Sequence, residues 1–375
     1  MLKRILAAAL AVCLVLLTFG CGQNADEQET QPTRKSAAEG GQRIAIIIGD
    51  QSQNPEIYAA AAEIARTYDD SIMIVKYAQN YYMDNTAVSE IASTVAENDS
   101  VTAMIFADGV TGTGEAVKKV REMRSDMYIA VCNPHEGSVE MHDANLVLSV
   151  DFPALGEQMV KKAKEMGAES FVFYTTKRHL KYSSVVALRN AVEEACKAEK
   201  MTFKAMSSVD LYDESRTLEI AKQYLAEDAA RQMEKFGAKT ALFCTEPQVQ
   251  GALAAQAIRH GMVMPATFMP SPLSLAADLG VDLTGHETDS AYALEQLKAG
   301  DSGAAGHVAT WSFSAYAAFL QAALDAAIGA VNDSGPAASV KSVTDLLTAN
   351  TGGTAVTVTT DANKAYLVQS GLVVL

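Results

Sequence analysis

Residues Ile44 to Ile48 are apolar without a break and mostly β-branched, and Gly49 and the polar run Asp50, Gln51, Ser52, Gln53, Asn54 follow at once. Pro55 then opens PEIYAAAAEIARTY, in which apolar side chains return at helical spacing. A strand covered on both faces cannot alternate apolar and polar residues, so this pattern predicts a buried parallel strand, a turn and an amphipathic helix. In open α/β sheets, ligands sit beyond the carboxyl ends of strands. Gln51 and Ser52 are therefore the first residues expected at a binding site, with Asp50 capping the turn.

The same alternation continues down the chain. Strands are predicted at residues 71–77, 101–107, 127–132 and 145–151, with helices at 86–96 and from the DGVTGTG turn through Met123. A second round places strands at 170–176, 201–208 and 239–245, and a weaker one at 262–269. Its helices fall at 153–166, 183–200, 216–236 and after Pro247, where a missing N–H costs nothing. Further on, helices are predicted at 287–299, 312–331 and 340–348, and a closing strand pair at 354–359 and 366–375. Strand–helix alternation implies parallel doubly wound sheets with right-handed crossovers. A chain of 375 residues is long for one core. The expected architecture is α/β: two Rossmann-like lobes, 43–150 and 151–285, facing each other across a cleft, with 286–375 returning to one or both.

The N-terminus has a different pattern. Lys3 and Arg4 precede an apolar run from Ile5 to Phe19, and Gly20-Cys21 stands where a cleavage site belongs. The run is short for a transmembrane helix, which needs about 20 apolar residues. It is similar to a bacterial lipoprotein signal, 1–21, that ends at a lipidated Cys21. Phe19 is bulkier than that signal's usual small residue, so an uncleaved anchor or ordinary secretion is the alternative. Residues 22–42 carry almost no apolar side chain through Gly41 and read as a disordered tether.

Composition and motifs then exclude more than they assign. A formal charge of −15 repels nucleic acid. Cys132, Cys196 and Cys244 have no CxxC spacing and read as buried thiols, not as a disulfide framework or zinc site. The glycines of DGVTGTGEA do not form GxGxxG, and no P-loop, GxSxG or SxxK occurs. His135, Glu136, Glu140 and His142 match no helical metal-binding pair. No cofactor is implied. Acid–base pairs could be assembled from Asp50, Asp108, Glu136 and Glu246, but their spacing does not favour it. The turn Thr175 to His179 holds three potential cations at a strand end, which suits a carboxylate, a phosphate or a polyhydroxylated ligand. Tyr81, Tyr82 and Tyr182 offer stacking faces, and Trp311 reads as a packing residue.

Four short stretches carry a family likeness: Asn133-Pro134-His135-Glu136, Arg178-His179 with Tyr182, Phe243-Cys244-Thr245 and Met269-Pro270-Ser271-Pro272. Over about residues 43–282 the chain resembles the type I periplasmic-binding-protein fold, the solute-binding component of ABC importers. More closely, it resembles an uncharacterised family of bacterial lipoproteins with that fold. The resemblance implies two lobes that hinge shut on a ligand. Strand-end geometry then assigns Gln51, Ser52, Asn80, Tyr81, Asp108, Asn133, His135 and Glu136 to the first lobe's rim. Lys177, Arg178, His179, Asp210, Thr245 and Glu246 fall to the second. The expected function is a monomeric, lipid-anchored protein on the outer side of the cell membrane. It would deliver a small polar ligand (sugar, nucleoside or carboxylated metabolite) to an ABC permease. A sensory receptor of the same fold and an exported enzyme using His135 or Glu136 are the alternatives.

Overall fold

The computed structural model describes residues 34–78, 81, 86–212, 216–300 and 302–375. The signal segment, Cys21, most of the tether, Asn80 and Tyr82 lie outside the described residues. Strands β1 (Arg43–Ile48), β2 (Ile72–Lys76), β3 (Val101–Phe106), β4 (Tyr128–Cys132) and β5 (Leu146–Val150) form a parallel sheet. Its order is β2-β1-β3-β4-β5, so the chain reverses direction across the sheet between β1 and β3. Ile44, Ile46 and Ile48 pack into one cluster and Ala45 and Ile47 into another, which is why β1 is apolar at every position. Helices α2 (Thr86–Ala96) and α3 (Thr113–Met123) cover one face and α1 (Pro55–Thr67) the other. Asn54 starts α1, its side-chain oxygen accepting from Ile57 N at 3.0 Å ahead of Pro55.

The second lobe repeats the plan on a smaller scale. Strands β6 (Ser170–Thr175), β7 (Thr202–Ser207) and β8 (Thr240–Cys244) are parallel in the order β7-β6-β8, with a reversal between β6 and β8. Helices α4 (Phe152–Glu165), α5 (Ser183–Ala198), α6 (Leu218–Phe236) and α7 (Gln250–His260) pack around them. The strand expected at 262–269 is reduced to single bridges at Val263 and Met264. Pro265 lacks the N–H that a continued ladder needs. Short helices α8 (Pro272–Asp278) and α9 (Ser290–Lys298) and strand β9 (Ala309–Thr310) complete this lobe, so the chain stays there through Thr310.

The chain crosses between lobes at three places. The first is Asp151, between β5 and α4. The second runs from Trp311 to Ser314, after which α10 (Ala315–Val331) packs beside α1 on the first sheet. Helix α11 (Val340–Asn350) and strands β10 (Thr357–Thr360) and β11 (Tyr366–Gln369) follow, and β11 pairs parallel to β5. The third crossing leads to β12 (Val373–Val374), antiparallel to β9 in the second lobe. The stretch expected as one strand over 366–375 is therefore two, one in each lobe. Asp151 ties two crossings together: its N–H donates to Val368 O at 2.9 Å, and Gln369 Nε2 donates to its carboxylate at 2.9 Å. Part of the stretch expected as a disordered tether, 22–42, is instead held against the first lobe. Lys35 bonds to Thr67 and Asp69, and Ala37 is fully buried in the first lobe. Two adjacent alanines are small enough to enter that core.

Candidate functional site

The strand ends of both lobes converge on a cavity of about 290 Å³, the scale of a small-molecule site. From the first lobe, the turn after β1 contributes Ser52, Gln53 and Asn54. The turn after β3 contributes Asp108, whose carboxylate lies 3.5 Å from His135 Nε2. Gly109 makes that arrangement possible. A Cβ there would fall 2.8 Å from Pro134 Cα, so only glycine lets the β3 and β4 turns meet. His135 N donates to Gly109 O at 2.8 Å, and Asn133 bends the β4 end with φ at +49°.

The second lobe supplies a charged lattice. Arg178 donates from Nε to Asp210 at 2.9 Å, from Nη1 to the Tyr182 hydroxyl at 3.0 Å and from Nη2 to Glu246 at 3.3 Å. Its guanidinium also lies over the Tyr212 ring, 4.1 Å from the centroid. His179 Nδ1 is 2.9 Å from the Thr245 hydroxyl, which itself donates to Thr175 at 3.0 Å. Thr245 therefore accepts from Nδ1–H, and Nε2 keeps its lone pair 3.8 Å from Glu246. Three contacts bridge the lobes at the cleft mouth. The Tyr81 and Tyr212 hydroxyls are 3.4 Å apart, the His135 and Tyr182 rings have centroids 4.9 Å apart, and Ser183 Oγ donates to Glu136 O at 3.3 Å.

Burial sets the protonation of the deepest groups. His179 is pushed down to about 2 by burial, with the charges of Arg178 and His135 adding to the effect, so its ring is neutral. Glu246 is pushed up to about 7 by burial, although Arg178 opposes the shift. Glu56, in the first turn of α1, is also raised by burial and takes a hydrogen bond from the Ser314 hydroxyl. Between about pH 4.5 and 7 the folded Glu246 holds a proton that the unfolded chain has lost. Its contribution to stability therefore falls as pH rises through this window, by at most about 1.4 kcal/mol per pH unit, and is flat above it. Urea unfolding of wild type and Glu246→Gln from pH 4.5 to 8 checks this. The difference between them should change across the window, and parallel curves would rule the shift out.

Eight of the expected residues line the cavity: Ser52, Tyr81, Asp108, Asn133, His135, Arg178, His179 and Glu246. Five others do not, each for a visible reason. Gln51 is exposed on the outer side of its turn, its N–H held by Asp50 Oδ1 at 2.9 Å. Lys177 points to solvent. Glu136 turns away to accept from Gly114 N at 2.9 Å, which also fills the α3 N-terminus where an anion would sit. Asp210 and Thr245 stand behind Arg178 and His179 as their partners. The His135 to His142 segment does not converge either: His142 bonds Val139 O at 3.1 Å and lies 3.4 Å from Asp143. Among the described residues no three potential ligands form a metal-sized group.

Several cleft residues carried no strand-end signal. Glu56 and Tyr316 come from the first turns of α1 and α10, Phe152 from the first crossing and Phe268 from the irregular stretch after Pro265. Phe152 stacks on Phe268 at 5.2 Å.

A family model described as "Protein of unknown function (DUF3798)" matches residues 42–309. An uncharacterised protein of Treponema pallidum (strain Nichols) is 27% identical over 205 residues, which is 52% of this chain and 91% of that protein. Among solved structures, a proposed transcriptional regulator from Clostridium difficile 630 superposes with a TM-score of 0.73 at 17% identity, covering 89% of this chain and 99% of that one. A sugar ABC transporter protein from Actinomyces odontolyticus ATCC 17982 gives 0.51 at 10% identity, over 91% and 96% of the two chains. An ABC sugar transporter protein from Legionella pneumophila gives 0.50 at 10%, over 77% and 94%. At such identities these likenesses bear on the fold, which is the two-lobed type I periplasmic-binding-protein fold.

Proposed function

Since the chain belongs to the family of proteins of unknown function described as DUF3798, we propose a function from its cleft: capture of a small polar ligand between two closing lobes, for delivery to an ABC importer. The observation that carries this is the cavity at the strand ends of both lobes, gated by the tyrosine pair and the His135–Tyr182 stack. The fold neighbours named for ABC sugar transport are consistent with that role. Lipidation of Cys21 would hold the protein on the outer side of the cell membrane, with residues 22–34 as its leash. Ser52, Tyr81, Asp108, Asn133, His135, Arg178 and Glu246 are the proposed ligand contacts. The role asks for stable binding without turnover.

Purified protein screened by thermal shift against sugars, nucleosides and organic acids should be stabilised by at least one class. Ligand at one hundred times Kd adds about 2.7 kcal/mol. In cells, Cys21→Ser should move the protein from the membrane to the soluble fraction. No shift with any class would overturn the binding role, and an unchanged membrane fraction would overturn the anchor.

A further inference from the structure

Asn133 is a costly residue where it stands. It is only 6% exposed, and neither its side-chain nitrogen nor its oxygen has a hydrogen-bond partner. A buried polar atom left without a partner is destabilising. Its φ of +49° adds strain that a glycine would not feel. The main chain there is already satisfied, Asn133 N donating to Leu148 O at 2.7 Å. The carboxamide has no partner within the fold, and Asn133 lines the cleft, so a ligand that reached its sealed polar atoms would satisfy both of them. A carboxamide shows a donor and an acceptor side by side, the pattern that grips a nucleobase edge through two hydrogen bonds.

The charge of the cleft narrows the class further. Arg178 is committed to Asp210 and Glu246, and Lys222 lies 3.9 Å from Glu219. His179 is neutral, as burial dictates. The Asp108 carboxylate lines the same space beside the buried Glu56 carboxyl, and among the described residues the lining cations Arg178 and Lys222 already face carboxylates, so an added anion would meet repulsion. Of the carboxylate, phosphate or polyhydroxylated ligand expected at the Arg178 turn, this favours the polyhydroxylated one. Carboxylates are acceptors, suited to ligand hydroxyls, and the rings of Tyr182, Phe268 and Tyr316 offer flat apolar faces to a planar group.

Building on the binding role above, we propose that the ligand is an uncharged nucleoside, with its base edge on the Asn133 carboxamide and its sugar hydroxyls donating to Asp108 and Glu56. Isothermal titration of the purified protein with adenosine, guanosine, cytidine and uridine tests it, with AMP, citrate and glucose as comparators. At least one nucleoside should bind, and AMP should bind at least tenfold more weakly than adenosine. Asn133→Gly should weaken nucleoside binding ten- to hundredfold while the melting temperature holds or rises. Asn133→Asp, which keeps the shape but loses the donor, should weaken it similarly. Binding of citrate, AMP or glucose in preference to every nucleoside would overturn this ligand class and leave the binding role standing. Silence from all seven compounds would count against the class, and the wider library screen would decide the binding role separately. A lowered melting temperature with unchanged affinity in Asn133→Gly would make the residue structural and sink the proposal.

Discussion

Arg178→Met is expected to destabilise the protein by about 3 kcal/mol at pH 8 and to abolish ligand binding. The side chain anchors three residues of the second lobe, and Glu246 behind it is nearly sealed from solvent. Removing the guanidinium leaves that carboxylate buried and unpaired. The Asp210 partner is more exposed and rehydrates at small cost. Because Glu246 escapes by taking up a proton, the penalty should shrink toward pH 5, where the buried carboxyl is neutral in either protein. Urea midpoints at the two pH values read this directly. A loss below about 1 kcal/mol with no pH dependence would show that the lattice is ornamental to stability.

The other large effect is expected at Trp311→Ala, at about 4 kcal/mol. Trp311 lies on the second crossing, is 1% exposed and packs against Phe313 with ring centroids 5.2 Å apart. Its indole N–H has no partner, so Trp311→Phe forfeits volume but also removes an unsatisfied donor. That variant should stay within about 1 kcal/mol of wild type. Since Trp311 is the single tryptophan, circular dichroism is the appropriate probe for unfolding. Equal losses in both variants would mean that the aromatic bulk is not what the crossing requires.

How much of this was legible depended on how local the signal was. The buried strands were plain, since Ile44 to Ile48 must feed two clusters on opposite faces of the sheet. Strand-end residues such as Asp108, Asn133 and Glu246 followed from the same reading, because the turn beyond a parallel strand faces the cleft. Arg178 lines the cleft, but its commitment was invisible: Asp210 and Glu246 come from other turns, and only the fold brings them to it. Glu56 and Tyr316 were missed for a related reason. They face each other's surroundings across the α1–α10 packing, and the return of α10 to the first lobe has no local mark in the chain. Pro265, by contrast, was in plain view as a reason to shorten the strand at 262–269.

The placement of β11 beside β5 also bears on how the chain can acquire its structure during synthesis. Tyr366 aligns with Leu148, and four residues beyond β11 the chain begins β12 in the opposite lobe. Among the described strands those two are made after all the others. Until then β5 stays an open edge, the second lobe lacks its final strand, and the pairing that closes each must be sought across a long loop. The two halves are thus completed by neighbouring residues, so that removing 366–375 would damage each of them.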